Sequence, residues 1–455
     1  MKTARNGNED KIGVGKFWAW QTRPVSAAIN WIVIGFLMFY ATGHLGMPAA
    51  LVGTLLMVAG LVDAFSDPIM GLWVDRTKTR FGKGRPYEFA ILGLWLATWL
   101  MFSVPSEASM VVQSIWILAA LIAARAICLA LLSACQNPYL VRAFPTDGQK
   151  NKQAAFGGAI IMICSMAFSI TFPAMLGNLD AIPGGWSGLI GMFALPLGLI
   201  GILRFVFVKE TVVMQEDSDA KEKASLKDVR LLLKSNPYLY MVSFMWFVFQ
   251  FFMAVGIAPF FFEWVTGDIT NMGLASMMGI VAVPLLFFFP ALMKRLPKGK
   301  LVALGSFMFM IHGILILVSG GDLTIILVSY IFTGLGSLPM SYLTDLLLVD
   351  VGTYNEHKLD RRMDGTIGTF RGFLGKVSQS IGGVVLGFGL TLGGFDGALE
   401  QQTDSAINAI NMMMGLLPII VFAPVAVVFL LFYKLDKILP EIKSHNKANQ
   451  EGAAQ

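Results

Sequence analysis

Residues 50–87 read ALVGTLLMVAGLVDAFSDPIMGLWVDRTKTRFGKGRPY. The first part of this stretch is apolar apart from Asp63 and Asp67, and the last part is basic and rich in glycine. A helix needs about 20 mostly apolar residues to cross a hydrocarbon core of roughly 30 Å. The stretch therefore reads as a membrane-spanning helix that ends at a basic surface loop. The charge census of the whole chain agrees. Its 455 residues include 34 basic and 29 acidic side chains, a formal net charge of +5. Charged residues make up 14% and the apolar set 56%, and mean hydropathy is +0.68. Soluble domains carry about 25% charged residues, so a chain this poor in charge cannot cover a water-facing surface. An ordinary cytosolic enzyme, a nucleic-acid binder and a disordered chain are excluded. An all-α membrane protein remains.

Working outward from Asp63, the same pattern predicts about twelve spans. They start near Pro24, Ala50, Tyr87, Val111, Gln153, Trp186, Pro237, Ala275, Leu301, Leu323, Ile367 and Ile407. Lys and Arg collect in alternate loops, as they do on the cytoplasmic side of membranes. The other loops hold His44, Glu107, Asp180, Asp268, Asp322, Asp396, Glu400 and Asp404, with neither Lys nor Arg. Both termini are therefore expected in the cytoplasm. A polar linker at 209–236 separates two six-helix halves, 1–208 and 237–434, and a polar cytoplasmic tail fills 435–455. Within the linker, SLKDVRLLL reads as an amphipathic surface helix. GLWVDRTKTRFGKGRP after the second span and MKRLPKGK after the eighth occupy matching places in the halves. Two related halves with a site between them near the bilayer midplane is a transporter architecture. The 47 glycines suit close helix packing.

Cys128, Cys135 and Cys164 are odd in number and lack zinc or redox spacing, so they read as small apolar packing residues. His44, His312, His357 and His445 are scattered. No cofactor is expected, and no metal beyond a coupling Na+. The N-terminal residues hold acids and no short apolar core with a cleavage site, unlike a secretory signal peptide.

An ionisable side chain inside a span is a functional candidate by default. Asp63 and Asp67 are four apart, so they share one helix face, with Ser66 beside them. They lie about 20–26 Å from the outer end of their span. Two carboxylates this close in a low dielectric do not both ionise cheaply: one holds a proton, or a cation sits between them. Pro68 disrupts the backbone bond to the Ala64 carbonyl, which offers one more oxygen. Lys376, in TFRGFLGKVSQS, is about 14 Å from the inner end of its span, too deep for comfortable snorkelling, and reads as part of the ion or substrate pathway. Arg371 is close enough to the surface to snorkel. Arg125, in AARAICLALLSACQNPY, sits near mid-span and either pairs with the span-2 acids or binds an anionic substrate group. Asp345 and Asp350 fall near the inner end of the tenth span. Sugar sites combine amides and carboxylates with an aromatic ring. Asn30, Trp31, Tyr40, Gln136, Trp246, Gln250 and Tyr342 are candidates of that kind, and each equally fits packing or an interfacial belt.

Three motifs carry a resemblance that runs the whole length of the chain. They are DAFSDPIMGLWVDRTKTRFGKGRPY at 63–87, DVGTYNEHKLDRRMDG at 350–365 followed by Lys376, and KET followed by SLKD before the seventh span. With them the chain resembles the glycoside–pentoside–hexuronide:cation symporters, the branch of the major facilitator superfamily that includes melibiose permease. The resemblance implies the major facilitator fold and coupling-cation roles for Asp63, Asp67 and Ser66, with Lys376 close by. It implies a cytoplasmic gating latch built from Gly71, Asp75, Arg76, Arg80, Gly82, Lys83 and Arg85, with Tyr354, Glu356, Lys358, Arg362 and Asp364 in the related loop. The sequence also departs from the family. Ala130 and Ala27 stand where family acids stand in spans 4 and 1, and Ser66 replaces an asparagine.

Fewer carboxylates and an added arginine favour a proton over sodium as coupling ion, or leave coupling weak. The expected function is cation-coupled symport of a glycoside, pentoside or hexuronide by alternating access. An uncoupled facilitator, or a carrier of a non-sugar organic anion, is the alternative on the same fold. The expected partners are a small-molecule substrate and the bilayer, with no nucleic acid, in a monomer of the bacterial cytoplasmic membrane. No residue is assigned a catalytic role.

Overall fold

The computed structural model describes residues 11–77, 79–211, 231, 234–279, 282–359, 361–399 and 401–453. Those residues are helical with short connections, and no strand occurs among them beyond one isolated bridge between Thr79 and Gly82. The chain packs as two units. One comprises Met1–Asp219 and Asp396–Glu400, the other Ala220–Phe395 and Gln401–Gln455.

The first unit contains α1 (Val14–Gly35), α2 (Leu37–Gly43), α3 (Ala49–Arg76), α4 (Ala90–Met101), α5 (Met110–Leu121), α6 (Ala130–Ala143), α7 (Asp147–Leu176) and α8 (Gly185–Phe207). Between α5 and α6 the chain stays helical but widens into a π-helix over Ile122–Leu129. The second unit contains α9 (Pro237–Val255), α10 (Ala258–Trp264), α11 (Asn271–Met278), α12 (Ala282–Arg295), α13 (Lys298–Val318), α14 (Leu323–Leu359), α15 (Asp364–Leu392), α16 (Asp404–Val427) and α17 (Leu435–Ala453).

Three helix starts carry side-chain caps. Thr146 accepts from the Gln149 amide, Asn236 from Tyr238 and Leu239, and Thr403 from Ala406, each meeting amides that the helix itself leaves unpaired. Gly256, at φ +65°, ends α9 in the left-handed region, and Pro259 opens α10.

Among the described residues, ten helical segments are long and apolar enough to cross a membrane. Two of the twelve predicted spans are not among them. The span expected from Tyr87 enters through a 3-10 turn, Arg85–Phe89, where Pro86 lacks a donor, and continues only as the short α4. Of the span expected from Ala275, the described residues show α11 and α12, and residues 280 and 281 lie outside the described residues. The amphipathic helix expected at SLKDVRLLL also lies outside the described residues, apart from Leu231.

Aromatic and small-residue packing holds each unit together. Tyr40, Phe102 and Trp186 cluster in the first unit, with Tyr40 to Phe102 ring centroids 5.0 Å apart. In the second, Phe309 and Phe422 stack at 4.2 Å. Lipid is as apolar as these helices, so close backbone approach does much of the work that burial does in water. Gly313 on α13 shows it: a Cβ there would lie 2.2 Å from the Gly415 carbonyl oxygen of α16.

Candidate functional site

In the first unit, α3 continues through Pro68 and carries Asp63 and Ser66 into the interior, with Asp67 half-buried one turn on. Asp63 is 2% exposed. The Ser66 hydroxyl donates to the Asp63 carbonyl at 2.8 Å, a bond within the helix. The π-helical segment places Arg125 against this face. Its Nη2 is 3.5 Å from Asp63 Oδ2, and both side chains are almost fully buried. The guanidinium also lies over the Trp31 ring, 5.0 Å from its centroid. Of the two roles open to Arg125, pairing with a span-2 acid is the one the geometry displays. Single-turn π-bulges often mark functional sites, and here one sets the position of the most deeply placed arginine of the span.

Other candidates fall elsewhere. Asn30 Nδ2 donates to Thr98 Oγ1 at 2.9 Å, tying α1 to α4. Tyr40 belongs to the aromatic cluster and stacks on His44. Gln136 accepts from Arg204 Nη1 at 2.9 Å and from Arg23. It thereby joins a buried network in which Arg23 and Arg204 approach the two oxygens of Glu88 at 3.4 and 3.6 Å. Arg204 also lies 3.3 Å from the centroid of the Trp20 ring. This network has no motif of its own in the sequence.

In the second unit, Trp246 and Gln250 of α9 face Gly375 of α15, where a Cβ would be 3.1 Å from Trp246 Nε1. Arg371 covers the Trp246 ring at 4.3 Å and pairs with Asp345. Lys376, the next residue after Gly375, is half-buried on α15. Tyr342 is exposed, with its ring against Phe289. Asp350 is buried and pairs with Lys298.

The loop after α3 is held by one acid. Glu210 accepts from the amides of Lys83 at 3.0 Å, Gly84 at 2.8 Å and Arg85 at 2.9 Å. Arg142 Nε faces Glu210 from α6 at 3.8 Å. Gly82, at φ +109°, lets the loop wrap this carboxylate, since a Cβ there would be 2.3 Å from its carbon. Lys83 pairs with Asp75 at 3.2 Å, and Arg85 donates to the Phe205 carbonyl at 2.7 Å. Arg80 lies over Phe81, Arg76 closes α3, and a Cβ at Gly71 would point into open space.

The second unit repeats the device in smaller form: Asp436 accepts from the Gly299 amide at 2.7 Å. Burial pushes the Asp436 carboxyl above the usual carboxylate range, against the pull of that amide and of Lys298. Near the end of α14, Arg362 reaches Glu356 at 3.6 Å and Asp364 at 3.0 Å. Lys358 donates to the Ser235 carbonyl, and Tyr354 packs edge-on against Tyr238. Glu210 is a site residue that the sequence announces only as the middle of KET. Among the described residues, no group of three or more His, Cys, Asp or Glu is placed to hold a metal ion.

A family model described as MFS/sugar transport protein matches residues 25–437. The isoprimeverose transporter of Lactiplantibacillus pentosus is 30% identical, over 93% of this chain and 89% of its own length. The glucuronide carrier protein homolog of Escherichia coli (strain K12) is 26% identical, over 91% of this chain and 92% of its own. Among solved structures, the nucleoside transporter NupG superposes with a TM-score of 0.62 over 92% of this chain and 99% of that one, at 13% identity. That last likeness speaks for the fold alone. The chain belongs to the MFS/sugar transport protein family, among its glycoside–pentoside–hexuronide symporters, as a multi-pass membrane transporter and not an enzyme.

Proposed function

We propose that this transporter moves a glycoside, pentoside or hexuronide in symport with a proton, by alternating access, across the cytoplasmic membrane of a bacterium. The observation that carries the choice of ion is the approach of Arg125 Nη2 to Asp63 Oδ2 at 3.5 Å. A hard metal cation takes several oxygen ligands, and here one of the two acids already faces a guanidinium. A proton needs a single carboxylate and no cage.

The names of relatives, an isoprimeverose transporter and a glucuronide carrier homolog, support a sugar or sugar derivative. The positive-inside pattern supports twelve spans with both termini in the cytoplasm.

The test is accumulation by the reconstituted protein of a panel containing isoprimeverose, lactose and a phenyl glucuronide, under separate proton and sodium gradients. Proton-driven accumulation that is lost in Asp67→Asn and Asp63→Asn is expected. Uptake that survives collapse of both gradients would replace symport with facilitated diffusion, and sodium-driven accumulation would overturn the choice of ion.

A further inference from the structure

α1 has two faces. Ser26 accepts from Trp95 Nε1 at 2.8 Å and donates to the Leu197 carbonyl at 2.8 Å, and Asn30 donates to Thr98. These residues tie α1 to α4 and α8; Ile29, Val33 and Ile34 are buried with them, and α1 also packs on α7. Trp31 and Gly35, four apart, lie on another side and are exposed. Trp31 is 43% exposed, yet Arg125, only 8% exposed, lies over its ring. One guanidinium therefore touches an indole on α1 and a carboxylate on α3. A planar guanidinium can stack and pair at once, and a desolvated cation over an indole is well placed for a cation–π contact. The indole keeps open surface of the kind on which the apolar face of a sugar rests.

The geometry points to Trp31 and Arg125 as the link between the two loads: a glycoside resting on the Trp31 indole takes hydrogen bonds from Arg125 and loosens its hold on Asp63, and a proton on the Asp63/Asp67 pair frees Arg125 for the sugar. This deepens the proton-symport reading and rests on it. The physical basis is competition for one donor group. Arg carries five N–H donors and no acceptor, and its bonds to an ionised carboxylate are about twice as strong as those to a neutral hydroxyl. While the acid is charged, the sugar loses that competition. Once a proton neutralises the pair, the sugar wins it. Each ligand thus favours the other by the same factor, as linkage requires, and such couplings are typically about 5–150-fold.

The titratable and charged groups on elements packed against the π-segment are Asp63, Asp67, Asp75 and Arg76 of α3 and Cys135, Tyr139 and Arg142 of α6, with Cys128 on the segment itself. α4 and α5 carry none. On α1, Arg23 is eight residues from Trp31, about 12 Å along the helix. Within this set, Asp63 faces Arg125 at 3.5 Å.

The test uses the full-length reconstituted protein, with isoprimeverose and lactose as probes, and measures sugar affinity at acid and at alkaline pH without a gradient. The parent should bind about tenfold more tightly at acid pH. Trp31→Ala should weaken binding and bring the acid-to-alkaline ratio close to one. Trp31→Phe, which keeps a ring for the guanidinium, should restore part of that ratio, and Arg125→Gln should abolish it. A Trp31→Ala variant that loses affinity equally at both pH values, with the parent's ratio intact, would overturn the link and show Trp31 to be a passive platform. Proton-driven accumulation by the parent is scored in the same vesicles. If the parent accumulates sugar and the ratio ignores Trp31, only the link fails. If the parent shows no proton-driven accumulation, the symport reading fails first.

Discussion

Arg125 and Asp63 show how a single residue type changes the meaning of a motif. Asp63 alone, 2% exposed, would be an expensive charge. Facing a guanidinium at 3.5 Å, it is half of a neutral pair. Removing one member of a buried pair typically costs about 3–5 kcal/mol, because the other charge is left uncompensated, whereas replacing both is often nearly neutral. Arg125→Ala should therefore lower thermal stability in detergent sharply, and Asp63→Asn combined with Arg125→Gln should regain most of the loss. Equal melting of the single and double variants would remove the pair from the account. The same logic applies to Glu88, which faces two arginines. Glu88→Gln should destabilise by about 3 kcal/mol or more, measured in the same melts. Arg204→Met made on top of it should relieve part of that cost.

At the scale of elements, single acids tie short loops to the helices beside them. Glu210 takes three backbone amides from the loop after α3. Leaving buried donors unmet costs about 1–3 kcal/mol. Glu210→Ala should expose residues 79–85 to protease and slow transport while leaving equilibrium sugar affinity unchanged. Protease resistance equal to that of the parent would count against it.

Asp436 holds the corresponding loop of the second unit under a different charge regime. Burial raises its carboxyl above the ordinary range, so folding favours the protonated form and stability is lost as pH rises past the ordinary carboxylate value. Asp436→Asn keeps an oxygen for the Gly299 amide and should flatten that loss in melts taken from acid to neutral pH. Helix packing is tested at Gly313, where a Cβ would lie 2.2 Å from the Gly415 carbonyl. Gly313→Val should loosen α13 from α16 and lower stability by more than about 1–3 kcal/mol, beyond ordinary overpacking, since the obstacle is backbone.

For the whole molecule, the decisive quantity is where the charges fall along the chain. Asp322 sits in a loop free of Lys and Arg, and Lys300 in a basic one. In cells, Asp322→Cys should react with an impermeant maleimide from outside, and Lys300→Cys only after permeabilisation, each against the parent carrying Cys128, Cys135 and Cys164. Labelling of both from outside would reject the proposed orientation. The hydropathy pattern behind this topology also marked where spans lie, because a lipid-crossing helix must be apolar over its whole length. It also marked a span that emerges shortened behind Arg85–Phe89, since average hydropathy does not register a proline-led 3-10 entry.

The order of residues alone carries the class of molecule, the sites of most spans, the alternation of basic and acidic loops, and the presence of charges that topology does not require. These are one-dimensional properties: hydropathy and charge act on each segment whatever its neighbours. Which partners those charges have is a matter of packing in three dimensions. Arg125 stood equally for a substrate anion and for the span-2 acids until the π-helical turn at Ile122–Leu129 set it against Asp63 and Trp31. Gln136 and Tyr40, sugar candidates by residue type, proved to be held in a buried ionic network and an aromatic cluster. Glu210 gained its place only when α8 brought it back to a loop more than a hundred residues earlier. Ion pairs and stacked rings act over a few ångströms across distant stretches of chain, so helix rotation and packing choose among partners that spacing along the sequence leaves equivalent.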